Sequence, residues 1–190
     1  MTIKAIPTKY NGITFRSRTE ARWAAFFDQL EIKYVYEPEG IEFFDGTKYL
    51  PDFYLEDMDA YFECKSAPGK LTEEELHKID LMKRWNRLII GYADFTFESN
   101  IISTELNYPK FMTEFDDSIF CYCLHCGCYS IMSGWFKTKC LNCGYGNEYE
   151  RTVVPNAIDG DMKCIITKND AVKNAYEYAM ALKFGERGMK

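Results

Sequence analysis

The chain has 190 residues, 47% hydrophobic and 27% charged, which suits one main domain with a small appendage and excludes a disordered polymer. No apolar run is long enough to span a bilayer, and the opening MTIKAIPTKYNG has no apolar signal-peptide core, so a soluble, intracellular protein is expected. A net charge of −6 argues against a uniformly basic, phosphate-binding surface.

In chain order, FRSRTEARWAAFFDQLEI (15–32) predicts the first helix. Ala21, Trp23, Ala24, Phe26, Phe27 and Leu30 recur at helical spacing, Ser17 is an N-cap, and Glu20 completes a capping box. YVYEP (34–38) reads as a strand stopped by Pro38, and residues 40–50 as a hairpin turning at Asp45-Gly46. DFYL (52–55) and AYFECK (60–65) are strand-like around an acidic EDMD turn, and SAPGK (66–70) is a loop. LTEEELHKIDLMKRWN (71–86) is a second helix with Thr72 and Glu75 as its capping box, and RLIIGYADF (87–95) is a buried-type strand. Residues 96–118 read as a connection, and residues 169–185 as a helix starting at Asn169 and ending at Gly185. The order predicts an α/β core with a mixed central sheet flanked by helices. It divides the chain into a core over 1–118, a cysteine-rich unit over 119–150 and a carboxy-terminal helical segment over 151–190.

Charge is uneven along the chain. Residues 1–33 hold six Lys/Arg against three acids, residues 34–63 hold nine acids against Lys48, and residues 64–92 return to six Lys/Arg against four acids. An acidic block between basic ones fits a metal site beside a phosphate-binding surface; ordinary solvated faces are the plainer reading. Within the acidic block, Glu63 and Lys65 point to one face of their strand and Cys64 to the other. If the two strands pair through the EDMD turn, Asp52 comes close to both. Two carboxylates at one place suit Mg²⁺ or Mn²⁺, hard ions that complete their shell from water and phosphate, and the lysine can orient or help deprotonate the attacking water. Taken singly, Asp52 is a turn residue after Pro51, and Glu63 with Lys65 is a strand-end ion pair; the spacing of all three is harder to obtain by accident.

PD, ten residues and then ExK, following a helix that bears a glutamate, resembles the PD-(D/E)XK nuclease superfamily, and residues 10–92 are similar to its small phage-type and mobile-element members. The resemblance implies a restriction-endonuclease-like fold and divalent-metal-dependent cleavage of DNA, endonucleolytic more readily than exonucleolytic, in the cytoplasm of a bacterial or phage-infected cell. Carried over residue by residue, it implies Asp52 and Glu63 as metal ligands, Lys65 as the catalytic lysine, and Glu20 as the first-helix glutamate that adds a ligand or holds water. Glu20 also has its capping duty. Arg16, Arg18 and Arg22 flank it and could grip phosphates, or equally pair with the acidic block. On the second helix, Lys78 and His77 read first as solvated and second as phosphate contacts.

CLHCG (123–127) and CLNCG (140–144) are matching knuckles. Their four thiolates, Cys123, Cys126, Cys140 and Cys143, predict a structural Zn²⁺ site and resemble a zinc ribbon. Cys121 and Cys128 are rival ligands, while Cys64 and Cys164 read as core thiols. The intervening YSIMSGWFKTK is expected to form a hairpin whose Tyr129, Trp135, Phe136, Lys137 and Lys139 contact nucleic acid or dock on the core or a second subunit. Three functions follow: a metal-dependent nuclease on branched, nicked or single-stranded DNA; a non-catalytic nucleic-acid- or protein-binding module on the same fold, such as a phage or host counter-defence protein; and a zinc-ribbon adaptor, which leaves the first 95 residues unexplained. A homodimer would set two sites against two strands. No membrane partner is expected.

Overall fold

The structure, a computed structural model, describes residues 5–65, 71–85, 87–93, 101–104, 117–133, 140, 142–144, 165–166 and 170–185. It opens with a hairpin of β1 (Thr8–Tyr10) and β2 (Ile13–Phe15). Asn11 and Gly12 both take positive φ, as a two-residue hairpin turn of the right twist requires. The expected helix follows as α1 (Arg18–Gln29), capped by Ser17, whose hydroxyl accepts the Glu20 N–H. Residues 15–17, assigned above to the helix, instead finish β2 and form the cap.

Then come β3 (Tyr34–Tyr36), the small hairpin of β4 (Ile41–Glu42) and β5 (Lys48–Tyr49), β6 (Phe53–Leu55) and β7 (Ala60–Lys65). The turn of the small hairpin lies at Asp45-Gly46 as expected: Gly46 has φ +84° and Asp45 Oδ1 accepts the Thr47 N–H at 2.9 Å. α2 (Glu73–Trp85) carries the Thr72–Glu75 capping box, with Thr72 N–H donating to Glu75 Oε2 at 2.8 Å and Glu75 N–H to Thr72 Oγ1 at 3.2 Å. β8 (Arg87–Tyr92), β9 (Ile101–Thr104), β10 (Asp117–Cys123), β11 (Cys128–Ser133), β12 (Ile165–Ile166) and α3 (Asp170–Ala181) complete the described elements.

Eight strands make one mixed sheet in the order β11-β10-β9-β8-β7-β6-β3, with β12 also pairing to β10. β7 and β8 run parallel, joined by α2 in a βαβ crossover; β6 and β7 run antiparallel, with Phe53 opposite Phe62. Two sequence expectations are revised here. Part of the 96–118 connection is the strand β9, bridging β8 and β10. The expected boundary between residues 118 and 119 falls inside β10, so the first knuckle hangs from a strand of the main sheet.

Alternation along the strands sorts two cores onto opposite faces. Phe53, Phe62 and Ile89 pack with Trp23, Phe26 and Phe27 of α1 and Val172, Ala175, Tyr176 and Ala179 of α3. Leu88, Ile90 and Tyr92 pack with Ile79 and Met82 of α2. α1 lies between the sheet and α3, which is why it is apolar around most of its circumference. Glu63 and Lys65 therefore face the α2 side and Cys64 the α1 side. Among the described residues no helix is long and apolar enough to cross a membrane.

Gly91 on β8 is a test of this packing. A Cβ there would run into the Phe62 ring and come within 2.7 Å of Trp23 Cε2, and both rings are fully buried. Gly91→Ala is expected to cost about 1–3 kcal/mol, read as a lower midpoint in urea unfolding; an unchanged midpoint would mean that these rings do not close over β8.

Candidate functional site

Asp52 ends the approach to β6, and Glu63 and Lys65 end β7. Antiparallel pairing of β6 and β7 brings the Asp52 side chain across to β7, where its Oδ2 accepts the Cys64 N–H at 2.7 Å. Asp52 is 5% exposed and Glu63 9%. Glu63 Oε2 accepts the Tyr49 hydroxyl at 2.7 Å, and Glu63 Oε1 lies 2.9 Å from Lys65 Nζ. Lys65 Nζ also donates to Glu75 Oε1 at 2.6 Å, so the ammonium is fixed between β7 and the first turn of α2. A cleft of about 300 Å³ opens over Glu63 and Lys65, lined also by Arg16, Tyr49, Glu75 and Lys78; Asp52 lies behind Arg16 and is not part of its lining.

The electrostatics of this corner follow from burying acids side by side. Burial first, and the charge of Glu63 second, push the Asp52 carboxyl up to about 7, with Glu20 adding to the rise; the Cys64 N–H and Arg16 oppose it. Lys65 moves the other way from what burial alone would do. Desolvation would lower it, but Glu63 and Glu75 outweigh that and hold it above the ordinary lysine value, so it stays an ammonium. Burial among carboxylates pushes the Cys64 thiol well up, which leaves it protonated, as expected of a core thiol.

A pH prediction follows from Asp52. Its folded pKa lies above the unfolded aspartate value, so its contribution favours folding at low pH and is lost as pH rises from about 4 through about 7. In EDTA at pH 8, Asp52→Asn is expected to raise stability on the order of 1–2 kcal/mol, and to have no such benefit at pH 4. A variant that melts lower than wild type at pH 8 would contradict this.

Glu20 is committed to its own helix end. Oε1 accepts the Ser17 hydroxyl at 2.6 Å; Oε2 accepts the Tyr36 hydroxyl at 2.7 Å and the Arg16 N–H at 3.0 Å. It acts on Asp52 as a nearby charge. Among the described residues, Glu20, Asp52 and Glu63 do not gather their oxygens within 4.8 Å of one another as a three-residue set. Arg16 pairs with the acidic block: Nη2 lies 2.5 Å from Asp52 Oδ1 and Nε 2.9 Å from Glu37 Oε1. Arg18 is exposed in the first turn of α1, and the Arg22 Nε is buried without a hydrogen-bond partner among the described residues. His77 pairs with Asp45 at 2.8 Å, and Lys78 with Glu74 at 2.5 Å.

The cysteine reading resolves to one set. Cys123, Cys126, Cys140 and Cys143 place their Sγ atoms within 4.8 Å of one another and could hold a metal ion such as zinc. Two of the separations are 3.9 Å (Cys123 to Cys143) and 3.7 Å (Cys126 to Cys140). Four thiolates about 2.3 Å from a tetrahedral zinc would stand about 3.8 Å apart. Gly127 and Gly144 take φ near +69° and +68°, and each donates its N–H to the carbonyl of the first cysteine of its knuckle. The rivals point elsewhere: the Cys121 thiol donates to the Ser130 carbonyl and the Cys128 thiol to the Cys126 carbonyl. Burial raises Cys140, but N–H groups of Cys143 and Asn142 and the Ser130 hydroxyl outweigh it and lower its pKa, whereas burial pushes the Cys123 thiol well up. Lys137, Lys139, Trp135, Phe136 and Cys164 lie outside the described residues.

Three partners were not legible as such. Tyr49 reaches Glu63 from a different hairpin, Tyr36 reaches Glu20 from β3, and Glu75 holds Lys65 through Oε1 while its Oε2 keeps the capping box. Only Glu75 carried a sequence signal, and it pointed to helix capping. Comparison with protein-family models, with curated proteins and with solved structures returns no significant match.

Proposed function

We propose that the protein is a divalent-metal-dependent nuclease of the PD-(D/E)XK type that hydrolyses phosphodiester bonds in DNA, with a zinc ribbon carried on the edge of its sheet. One observation carries the reading: two buried carboxylates act on each other's charge, Asp52 just before β6 and Glu63 on β7, and Glu63 lines a cleft beside a lysine held as an ammonium. Buried like charges are expensive unless a cation compensates them. The oxygen-only donor set of Asp52 and Glu63 fits Mg²⁺ or Mn²⁺ and disfavours softer ions.

Bound there, the cation would supply Lewis-acid charge beside a scissile phosphate. The chain's own residues do the rest. Tyr49 and Lys65 fix the Glu63 carboxylate, and the Cys64 N–H fixes that of Asp52, so both are preorganised. Lys65, kept charged by Glu63 and Glu75, is suited to stabilising negative charge on a phosphate oxygen and to positioning water, more than to removing a proton. Glu20 supplies charge and anchors the start of α1, while Glu75 positions Lys65. The restricted basic surface, Arg16 and Lys78 at the cleft, fits a branched or single-stranded target better than a long duplex.

One observation favours a second reading, a binding module without catalysis. The site's charges are already paired internally, Arg16 with Asp52 and Lys65 with Glu63 and Glu75, and a self-satisfied network can persist for structure alone. Incubating the purified chain with labelled duplex, single strand, fork, four-way junction and RNA, in Mg²⁺, Mn²⁺ or EDTA, separates the two. Metal-dependent products from a DNA substrate support the nuclease; binding without products from any substrate supports the module.

A further inference from the structure

Arg16 occupies an unusual place. Its guanidinium touches a carboxylate that is 7% exposed, yet its own side chain is 52% exposed and lines the cleft. It reaches Asp52 from the solvent side, through Nη2, while Nε holds Glu37 on the outside. Its backbone does separate work: the Arg16 N–H donates to Glu20 Oε2 and to the Tyr36 hydroxyl, both at 3.0 Å, which fixes the main chain just before α1. The side chain also nears the cap, with Nε 3.9 Å from Glu20 Oε2, but its contact with Asp52 runs through Nη2, and the backbone N–H keeps its bonds to Glu20 and Tyr36 when that contact breaks. A cation held by Asp52 and Glu63 and a guanidinium on the same Asp52 would repel each other across a few ångströms of poorly screened space.

We propose that Arg16 is a displaceable counter-cation: it neutralises Asp52 in the cation-free protein, yields that carboxylate to an incoming divalent cation, and then takes a phosphate of the nucleic acid in the cleft. The inference rests on the two-carboxylate reading above. A planar guanidinium suits both states, since carboxylate and phosphate present the same paired-oxygen edge. Glu37, 2.9 Å from Nε, keeps the arm tethered at the rim in the second state. Metal and substrate are then coupled through one side chain: the cation frees the arginine for phosphate, and phosphate draws the arginine off the cation's ligand.

The test uses the full chain and two substitutions that keep the backbone donor, Arg16→Met and Arg16→Gln. Their folding is checked by thermal melts in EDTA, and agreement between them guards against a local defect in either. Calorimetric titration with Mn²⁺ is expected to show both variants binding about tenfold more tightly than wild type, because nothing has to be displaced. Anisotropy of a labelled DNA fork is expected to show both variants binding several-fold more weakly in Ca²⁺, with little change in EDTA, where wild-type Arg16 is spent on Asp52. Wild-type Mn²⁺ binding with equal or weaker binding in the variants would overturn the displacement and leave the metal site standing. An equal loss of DNA binding with and without Ca²⁺ would overturn the switch. No Mn²⁺ binding by any of the three proteins would remove the two-carboxylate reading and this inference with it.

Discussion

Under the proposed nuclease function, Glu63→Ala is expected to lower the rate of metal-dependent DNA cleavage by roughly 10³-fold or more, since it removes a proposed cation ligand and a partner of Lys65 together. Lys65→Ala is expected to cost roughly 10²–10³-fold, the usual scale for losing one preorganised charge at a developing oxyanion. Both are measured as single-turnover rates on the best substrate from the panel. Neither change should unfold the protein, because both side chains lie at the cleft end of β7, outside the cores built on Phe62 and Leu88. Glu75→Gln separates positioning from ligation. The Lys65 ammonium keeps Glu63 but loses one anionic partner, so its pKa falls and the alkaline limb of the rate profile moves to lower pH. An unchanged limb would mean that Lys65 is not the group titrating there.

With the cysteine cluster proposed as a structural metal centre, removing its metal is expected to have the largest effect on stability. Four thiolates placed around a common centre repay folding only when a cation holds them. The consequence reaches beyond the knuckles, because the strand that carries the first one also carries Phe120, and its partner strand carries Ile131; both belong to the core with Trp23 and Phe26. Chelation, or Cys126→Ser, should therefore lower the melting temperature of the whole chain by roughly 10 °C or more, with amide protection lost first over residues 120–131. Elemental analysis should find about one zinc per chain. A zinc-free preparation that melts normally would show that the cluster is not a structural metal centre.

What could be read from the sequence was whatever local chemistry specifies. Ser17, Thr72 and Asp45 announce their caps and turn through their own side chains, and Glu63 and Lys65 share a face because strands alternate. The knuckles were legible because each is a short loop with its own glycine, and the paired C-x-x-C spacing picked the four cysteines that gather; the rivals Cys121 and Cys128 are turned away to backbone carbonyls. The β1–β2 hairpin was missed although Asn11-Gly12 is its signal, because its strands are only three residues long. β9 has no alternation and forms only where β8 and β10 offer edges on both sides. Glu20 was open between cap and ligand, and the competition for its oxygens went to Ser17, Tyr36 and the Arg16 N–H. Arg16 was likewise open between phosphate and the acidic block, and took Asp52 and Glu37. Such choices are made between elements distant in the chain, and no single stretch of sequence states them.

The proposed hydrolysis depends on a cation bridging the carboxylates of Asp52 and Glu63. Anomalous diffraction from crystals of the full chain soaked in Mn²⁺ tests this directly. A manganese peak bonded to one oxygen from each side chain, with the Arg16 guanidinium moved off Asp52, is the predicted result. A map without a peak at that corner, in crystals where Arg16 still holds Asp52, would contradict it.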